Sequence, residues 1–263
     1  MGITLESISN AKRVRAPRII LLGTSGIGKS EFSAGADSPV FIPIEGEEGI
    51  DALDVQAFPV CETYESLMES IGVLYSSDHE FRSLAIDSAS TFAALVDQAA
   101  LESEGVASKG LLGGGWGHQY DTIVNMWRGV MTGLDALRND KGMTIIIIGH
   151  VKITKSREPD TESYDQYAFD IDNKVAEALI RWSDCTLFMD RKVIVKKEEV
   201  AFGKKEKRGV SMPGNQRYLF SQKSATHPGK ARGFFGELPA EIALPRHGAW
   251  DAFMAHVAEA ITK

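Results

Sequence analysis

Cysteine is nearly absent from this sequence. Cys61 and Cys185 are the only two in 263 residues, and they are isolated from each other. That excludes a disulfide-stapled small domain and a cysteine-based metal spacing. Long apolar runs are missing too: the longest, around Thr144–Ile148, falls far short of the ~20 residues a membrane-crossing helix needs. No membrane partner is therefore expected. The opening MGITLESISNAKRVRAPR has no apolar centre leading to a small-residue cleavage site, so no secretion signal is expected. Gly2 would need Ser or Thr at position 6 for acylation, and Glu6 stands there. A basic excess is also lacking, with 29 Lys and Arg against 36 Asp and Glu and a net charge of −7. That argues against a protein whose whole surface coats nucleic acid, while leaving room for a local basic groove. The simplest compartment is a reducing cytoplasm.

What is present is an ordinary globular composition, 43% hydrophobic and 25% charged, long enough for one substantial core. No repeat or Pro-rich linker divides the chain. Basic residues cluster in two places: Lys12, Arg13, Arg15 and Arg18 near the start, and eight Lys or Arg against three Glu between Arg191 and Arg208. Each cluster is as compatible with a solvated face or hairpin tip as with a binding surface.

Strand and helix signals alternate, which predicts an α/β fold with a mainly parallel central sheet flanked by helices. Arg18–Leu22, Val40–Ile44 and Leu84–Asp87 read as buried strands. Thr144–Ile148, five β-branched residues in a row, reads as the sheet centre. Helical patterns begin at Lys29 and run over Tyr64–Tyr75, Thr91–Leu101, Tyr120–Arg138, Asn173–Ile180 and Ala249–Ile261. Short strands at Thr186–Met189, Lys192–Lys196, Gly209–Met212 and Arg217–Phe220 predict an antiparallel extension. The domain reading is a basic segment over 1–17, a core over 18–245 and a C-terminal helix over 246–263.

Gly23-Thr24-Ser25-Gly26-Ile27-Gly28-Lys29-Ser30 matches G-x-x-x-x-G-K-[ST], after a strand and opening a helix, the context such a phosphate loop requires. Its backbone N–H groups converge on a phosphate, helped by the helix N-terminus. Lys29 would bridge the β- and γ-phosphates of ATP, and the Ser30 hydroxyl would ligate Mg²⁺. Asp87 ends its strand where a carboxylate can hold the same ion. Glu45, after the second strand, is the candidate to orient the attacking water, with Glu47 and Glu48 near enough to compete. His150 ends the strongest strand, where it can feel the γ-phosphate and pass its state to the segment that follows.

These parts in this order, GTSGIGKS, IEGEEG, AIDS and IIIIGH followed by a mobile polar loop, resemble the core of RecA recombinases. The acidic turn and strand-ending His set them apart from small nucleotide kinases, and no helical lid of the AAA+ kind is visible. HQYDTIVNMWRGVMTGLDAL, MTIIIIGHVKI and KARGFFGELPAEI are similar to the phage-type family of RecA-like P-loop ATPases, some of which anneal single strands. The resemblance spans roughly Arg18 to Leu244. It implies Glu45 as the water-activating residue and His150 as the γ-phosphate sensor. It implies two DNA-binding loops, Glu102–Gly117 and Lys152–Asp172, with Lys152, Lys155 and Arg157 as DNA-binding cations. Trp116, Tyr164, Tyr167 and Phe169 are then available to stack on bases. It implies Lys230 and Arg232 as cations that reach a neighbouring subunit's ATP. Single-stranded DNA, a homo-oligomer (filament or ring) and a single-strand-binding protein are the implied partners. The host cytoplasm would be the location of a phage-encoded member. The chain looks like a core alone, with neither an N-terminal helix-hairpin-helix module nor a C-terminal gating domain.

Two other readings compete. A nucleotide-switched ATPase acting on a protein partner fits the mixed charge of Lys152–Asp172, where Glu158, Asp160, Glu162 and Asp165 follow the basic residues. A small-molecule kinase would need a basic lid, which Arg191–Arg208 could supply, and an acceptor pocket for which the spacing gives no sign.

Overall fold

The computed structural model describes residues 4–8, 13–115, 118–156, 162–200, 204–211 and 216–262. The first part of the chain builds β1 (Arg18–Gly23), α1 (Lys29–Ala34), β2 (Pro39–Pro43), β3 (Gln56–Ala57), α2 (Tyr64–Ser76), β4 (Ser83–Asp87), α3 (Ala89–Glu104), α4 (Gln119–Asp140) and β5 (Thr144–Gly149). There follow β6 (Val151–Ser156), β7 (Tyr164–Phe169), α5 (Asn173–Trp182), β8 (Cys185–Arg191), β9 (Val193–Val200), β10 (Lys204–Ser211) and β11 (Arg217–Phe220). The chain ends with β12 (Lys230–Ala231), β13 (Glu241–Leu244) and α6 (Ala249–Thr262).

The main sheet runs β13-β11-β8-β1-β5-β4-β2-β3, with β12 added beside β8. From β8 to β3 all pairings are parallel. β11, β12 and β13 pair antiparallel. The expected α/β class and its antiparallel C-terminal extension hold.

Side-chain alternation sorts the core into two layers. Ile20, Leu22, Ile145 and Ile147 face the side covered by α2, α3, α4 and α5. Ile19, Leu21, Ile146 and Ile148 face the side of α1 and α6. Phe32 of α1 meets Trp250 and Phe253 of α6 at ring-centroid distances of 5.2 and 5.9 Å. Such a clustered aromatic trio contributes beyond its buried area.

Three expectations are corrected. β8 is not part of the antiparallel extension; it lies parallel against β1. β9 and β10 form a separate two-stranded ribbon, register Lys204 to Val200, outside the main sheet. The stretch after His150 is not a loop. β6 and β7 pair antiparallel as a ribbon from Val151 opposite Phe169 to Ser156 opposite Tyr164. Among the described residues no helix is long and apolar enough to cross a membrane.

Candidate nucleotide site

Parallel strands deliver their C-terminal ends to one edge, and β5 lies between β1 and β4. The residues that follow these three strands therefore converge: the phosphate loop after β1, Asp87 at the end of β4, and His150 after β5. Lys29, first residue of α1, is only 5% exposed. Its Nζ donates to the carbonyls of Gly23 (3.1 Å) and Thr24 (3.0 Å) and lies 3.5 Å from His150 Nδ1. Burial pulls its pKa below the ordinary lysine value, against the opposing charges of Asp87 and Glu47. A lysine resting on two carbonyls of its own loop is one that an anion can draw away.

Ser30 Oγ donates to Asp87 Oδ2 at 2.5 Å. Burial pushes the Asp87 carboxyl above its usual range, and neighbouring Glu47 adds to that, while the Ser30 bond and Lys29 pull it back. The cradle is kept open by Gly49. A Cβ there would stand 2.7 Å from Ser30 Oγ and 3.3 Å from Asp87 Oδ2. A hydroxyl and a carboxylate are hard oxygen donors that suit Mg²⁺, an ion that takes one or two protein ligands and completes its shell with substrate phosphates and water. The residues present fit that ion. Among the described residues no group of three or more His, Cys, Asp or Glu is placed to hold a metal ion.

The acidic turn contributes a different glutamate from the one ranked first in the sequence. Glu45 is exposed, whereas Glu47 turns inward. Glu47 Oε1 takes a hydrogen bond from Ser88 Oγ (2.7 Å) and lies 2.9 Å from His150 Nε2. Burial alone would raise the Glu47 carboxyl; the bonds from His150 and Ser88 outweigh it and hold the group below its ordinary value. His150 is thereby fixed on both ring nitrogens, and its backbone N–H donates to Ser90 Oγ at 2.9 Å.

Arg217, at the loop, carried no sequence signal. Arg217 of β11 lies against Gly28, and its Nη1 meets Glu31 Oε2 at 2.6 Å and the Ile27 carbonyl at 3.4 Å. A hollow of about 500 Å³ opens beside them, lined by Gly26–Gly28 together with Arg191, Arg217 and Arg246. Arg217 is 187 residues from Ser30, so only the fold brings them together.

The AAA_24 family model, described as an AAA domain, matches residues 15–233. The chain belongs to that family. This AAA domain thus places its phosphate loop, Asp87, Glu47 and His150 on one sheet edge, the arrangement of a P-loop nucleoside triphosphatase. Beyond β5 the described residues turn mostly to strands, with α5 and α6 the α-helices there. No curated protein matches the sequence. Among solved structures, the crystal structure of the RadB recombinase is similar at 14% identity over 78% of this chain and 81% of that chain, with a TM-score of 0.42, a distant likeness.

The remaining candidates are placed elsewhere. Lys230 and Arg232 lie toward the opposite, N-terminal edge of the parallel strands, Lys230 level with Thr186 of β8 and so with Ile20 of β1. Lys230 Nζ donates to the carbonyls of Ile180, Arg181 and Ser183 at the end of α5. Arg232 pairs with Asp184 at 2.7 Å. The structure does not bring either cation to the phosphate loop of its own chain. Lys152 is engaged by Asp170 at 3.4 Å and by the Ile171 carbonyl, while Lys155 is exposed and forms no ion pair among the described residues. Arg157 and Trp116 lie outside the described residues. Phe169 is buried and Tyr167 packs on Phe188 at 5.2 Å, so both serve the core rather than a stacking surface. The Gly-rich segment is tied down: Glu104 accepts from Gly113 N and Thr122 Oγ1.

Proposed function

We propose that this P-loop protein is a RecA-like Mg-ATP hydrolase whose nucleotide state sets its grip on single-stranded DNA. It would act in annealing or strand exchange within a phage recombination system, as a homo-oligomer alongside a single-strand-binding protein. One observation carries this reading: His150 is wired to Lys29 and Glu47 on its ring, and the next residue starts the β6–β7 ribbon.

The chemistry follows from the side chains. Lys29 leaves the Gly23 and Thr24 carbonyls for the β- and γ-phosphate oxygens, and the loop N–H groups take the rest of that charge. Ser30 and Asp87 would hold Mg²⁺, which would neutralise charge on those phosphates. Glu47 orients the attacking water. Its lowered pKa suits a carboxylate that positions and polarises the water rather than one that keeps its proton. A change at the γ-phosphate alters the Lys29–His150–Glu47 contacts and so the base of the ribbon at Val151, whose far half carries exposed Lys155.

The test is steady-state ATP hydrolysis with and without single-stranded DNA, over a range of protein concentrations, beside Lys29→Ala. DNA stimulation that steepens with protein concentration supports the reading; a rate indifferent to both removes it and leaves the nucleotide site. A second reading, a nucleotide switch acting on a protein partner, is favoured by Lys152 being tied to Asp170 and by Ile153 standing 67% exposed on the ribbon. It predicts no gel shift with ssDNA and ATP at any salt.

A further inference from the structure

The edge of the sheet far from the phosphate loop carries an unusual concentration of arginine. Asp184, before β8, accepts from the backbone N–H of Arg18 and from the guanidiniums of Arg18, Arg138 and Arg232. Arg18 also pairs with Asp135 at 2.9 Å. The side chains of Arg18 and Arg138 are 11% and 10% exposed. Burial together with the neighbouring Arg18 holds the Arg138 pKa below its ordinary value, although Asp184 opposes this. Arg13 and Arg15 close the outer wall of the same hollow, which measures about 330 Å³. Five guanidiniums thus stand against the two carboxylates Asp184 and Asp135, a local positive surplus in a protein of net charge −7. A second hollow of about 570 Å³ adjoins the first and shares Arg13, Arg15 and Arg138 with it. Phe234 and Phe235 form an apolar wall of the first.

We propose that these two joined hollows are a second nucleic-acid site, which holds consecutive phosphodiester groups of a single strand. The inference rests on the reading that the chain handles single-stranded DNA, and adds a place for the strand away from the β6–β7 ribbon. Arginine suits phosphate because its planar fork of donors matches the phosphate oxygens. Arg13 and Arg15 are alternate residues of a segment with no helical or strand pairing, and both line both hollows. In extended chain they stand up to about 6.6 Å apart, of the order of the spacing between neighbouring phosphates in a stretched strand. Half-buried Phe234 offers a base a surface to rest on, the usual companion of cations in a single-strand groove. Two adjoining hollows of about 330 and 570 Å³, with arginine lining both, favour a polymer over a lone anion.

The test is fluorescence anisotropy of a labelled oligo-dT with the full chain, across a salt series, for the parent and for the exposed pair Arg13→Ala/Arg15→Ala. We expect the double variant to bind at least ten-fold more weakly at low salt. Its log–log salt slope should be shallower by about 1.4, from two lost contacts at ~0.7 each. Its ATP hydrolysis without DNA should equal the parent's. Affinity and slope within two-fold of the parent would overturn the site alone and leave ribbon binding in place. Unchanged oligonucleotide affinity with lost concentration dependence of hydrolysis would assign the hollow to a neighbouring subunit's nucleotide instead, and overturns it too. A parent that binds no oligonucleotide at any salt would remove the DNA reading itself.

Discussion

Glu45 and Glu47 belong to one acidic turn, but only Glu47 points its carboxylate at His150 and Ser88. The difference arises at Gly46, whose φ of +87° reverses the chain between them, a conformation other residues adopt at a cost. Glu47→Gln is therefore expected to lower kcat by roughly 10²–10⁴ while ATP binding, read by calorimetry, stays near the parent's. Glu45→Gln should leave kcat nearly unchanged; equal losses in both variants would refute the assignment. Asp87 makes a different case. Its raised pKa means that burial makes its charge costly, so the folded protein holds a proton more tightly than the unfolded chain and loses stability as pH rises through the raised value. Asp87→Asn should melt no lower than the parent without nucleotide, yet lose Mg²⁺-dependent stabilisation by ATP. A clear drop in the nucleotide-free Tm would contradict this. At this scale the sequence is informative where spacing is the chemistry: the eight-residue loop and the aspartate ending LAID are visible without a fold. It is silent where backbone torsion decides, as between the two glutamates, and where partners are remote, as with Arg217 over Gly28.

Helix α5 ends against three carbonyls that Lys230 gathers from β12. The last carbonyls of a helix lack intrahelical partners and carry its negative dipole end, so a cation there both satisfies and neutralises them. Lys230→Ala is expected to cost about 1–2 kcal/mol in urea unfolding, with kcat at saturating protein unchanged. A variant of parental stability that loses only its concentration-dependent hydrolysis would instead restore the intersubunit role. Elements differ in legibility for a physical reason. Long periodic helices and the TIIII strand announce themselves because each residue repeats the same environment. β12 is two residues long and the β6–β7 ribbon is polar with Ile153 outward, so no period of burial marks them, and the alternation of β13, Ile242 and Leu244 inward, lasts only four residues. β8 reads like its antiparallel neighbours, since strand direction is set by what precedes it and not by its own side chains.

Across the whole molecule, Asp184 joins the start of β1, the end of α4 and the turn after β12 through three arginines. These bonds outweigh burial and hold its carboxyl at about 2, below the usual 3.8. A depressed carboxylate stabilises the fold at and above its ordinary range, and that contribution drains away as pH falls from about 4 to about 2. It is on the order of 2 kcal/mol. Denaturant unfolding followed down that window should show the loss, and Asp184→Asn should lack that step while being less stable at neutral pH by about 3 kcal/mol. An unaltered acid profile in the variant would place the effect elsewhere. The sequence showed the basic cluster at Arg13 to Arg18 but not its partner, which lies more than 160 residues on.

One residue, His150, separates β5 from β6, with no spacer to absorb a rotation. The six-residue ribbon beyond it is about 20 Å long, so a tilt of about 10° at that joint sweeps its far end through roughly 3.5 Å. Under the proposed coupling it would be a lever with its fulcrum in the nucleotide site: hydrogen-bonded arms would turn an ångström-scale event at a phosphate into a displacement of Ser156 and Tyr164 wide enough to loosen or tighten a contact there.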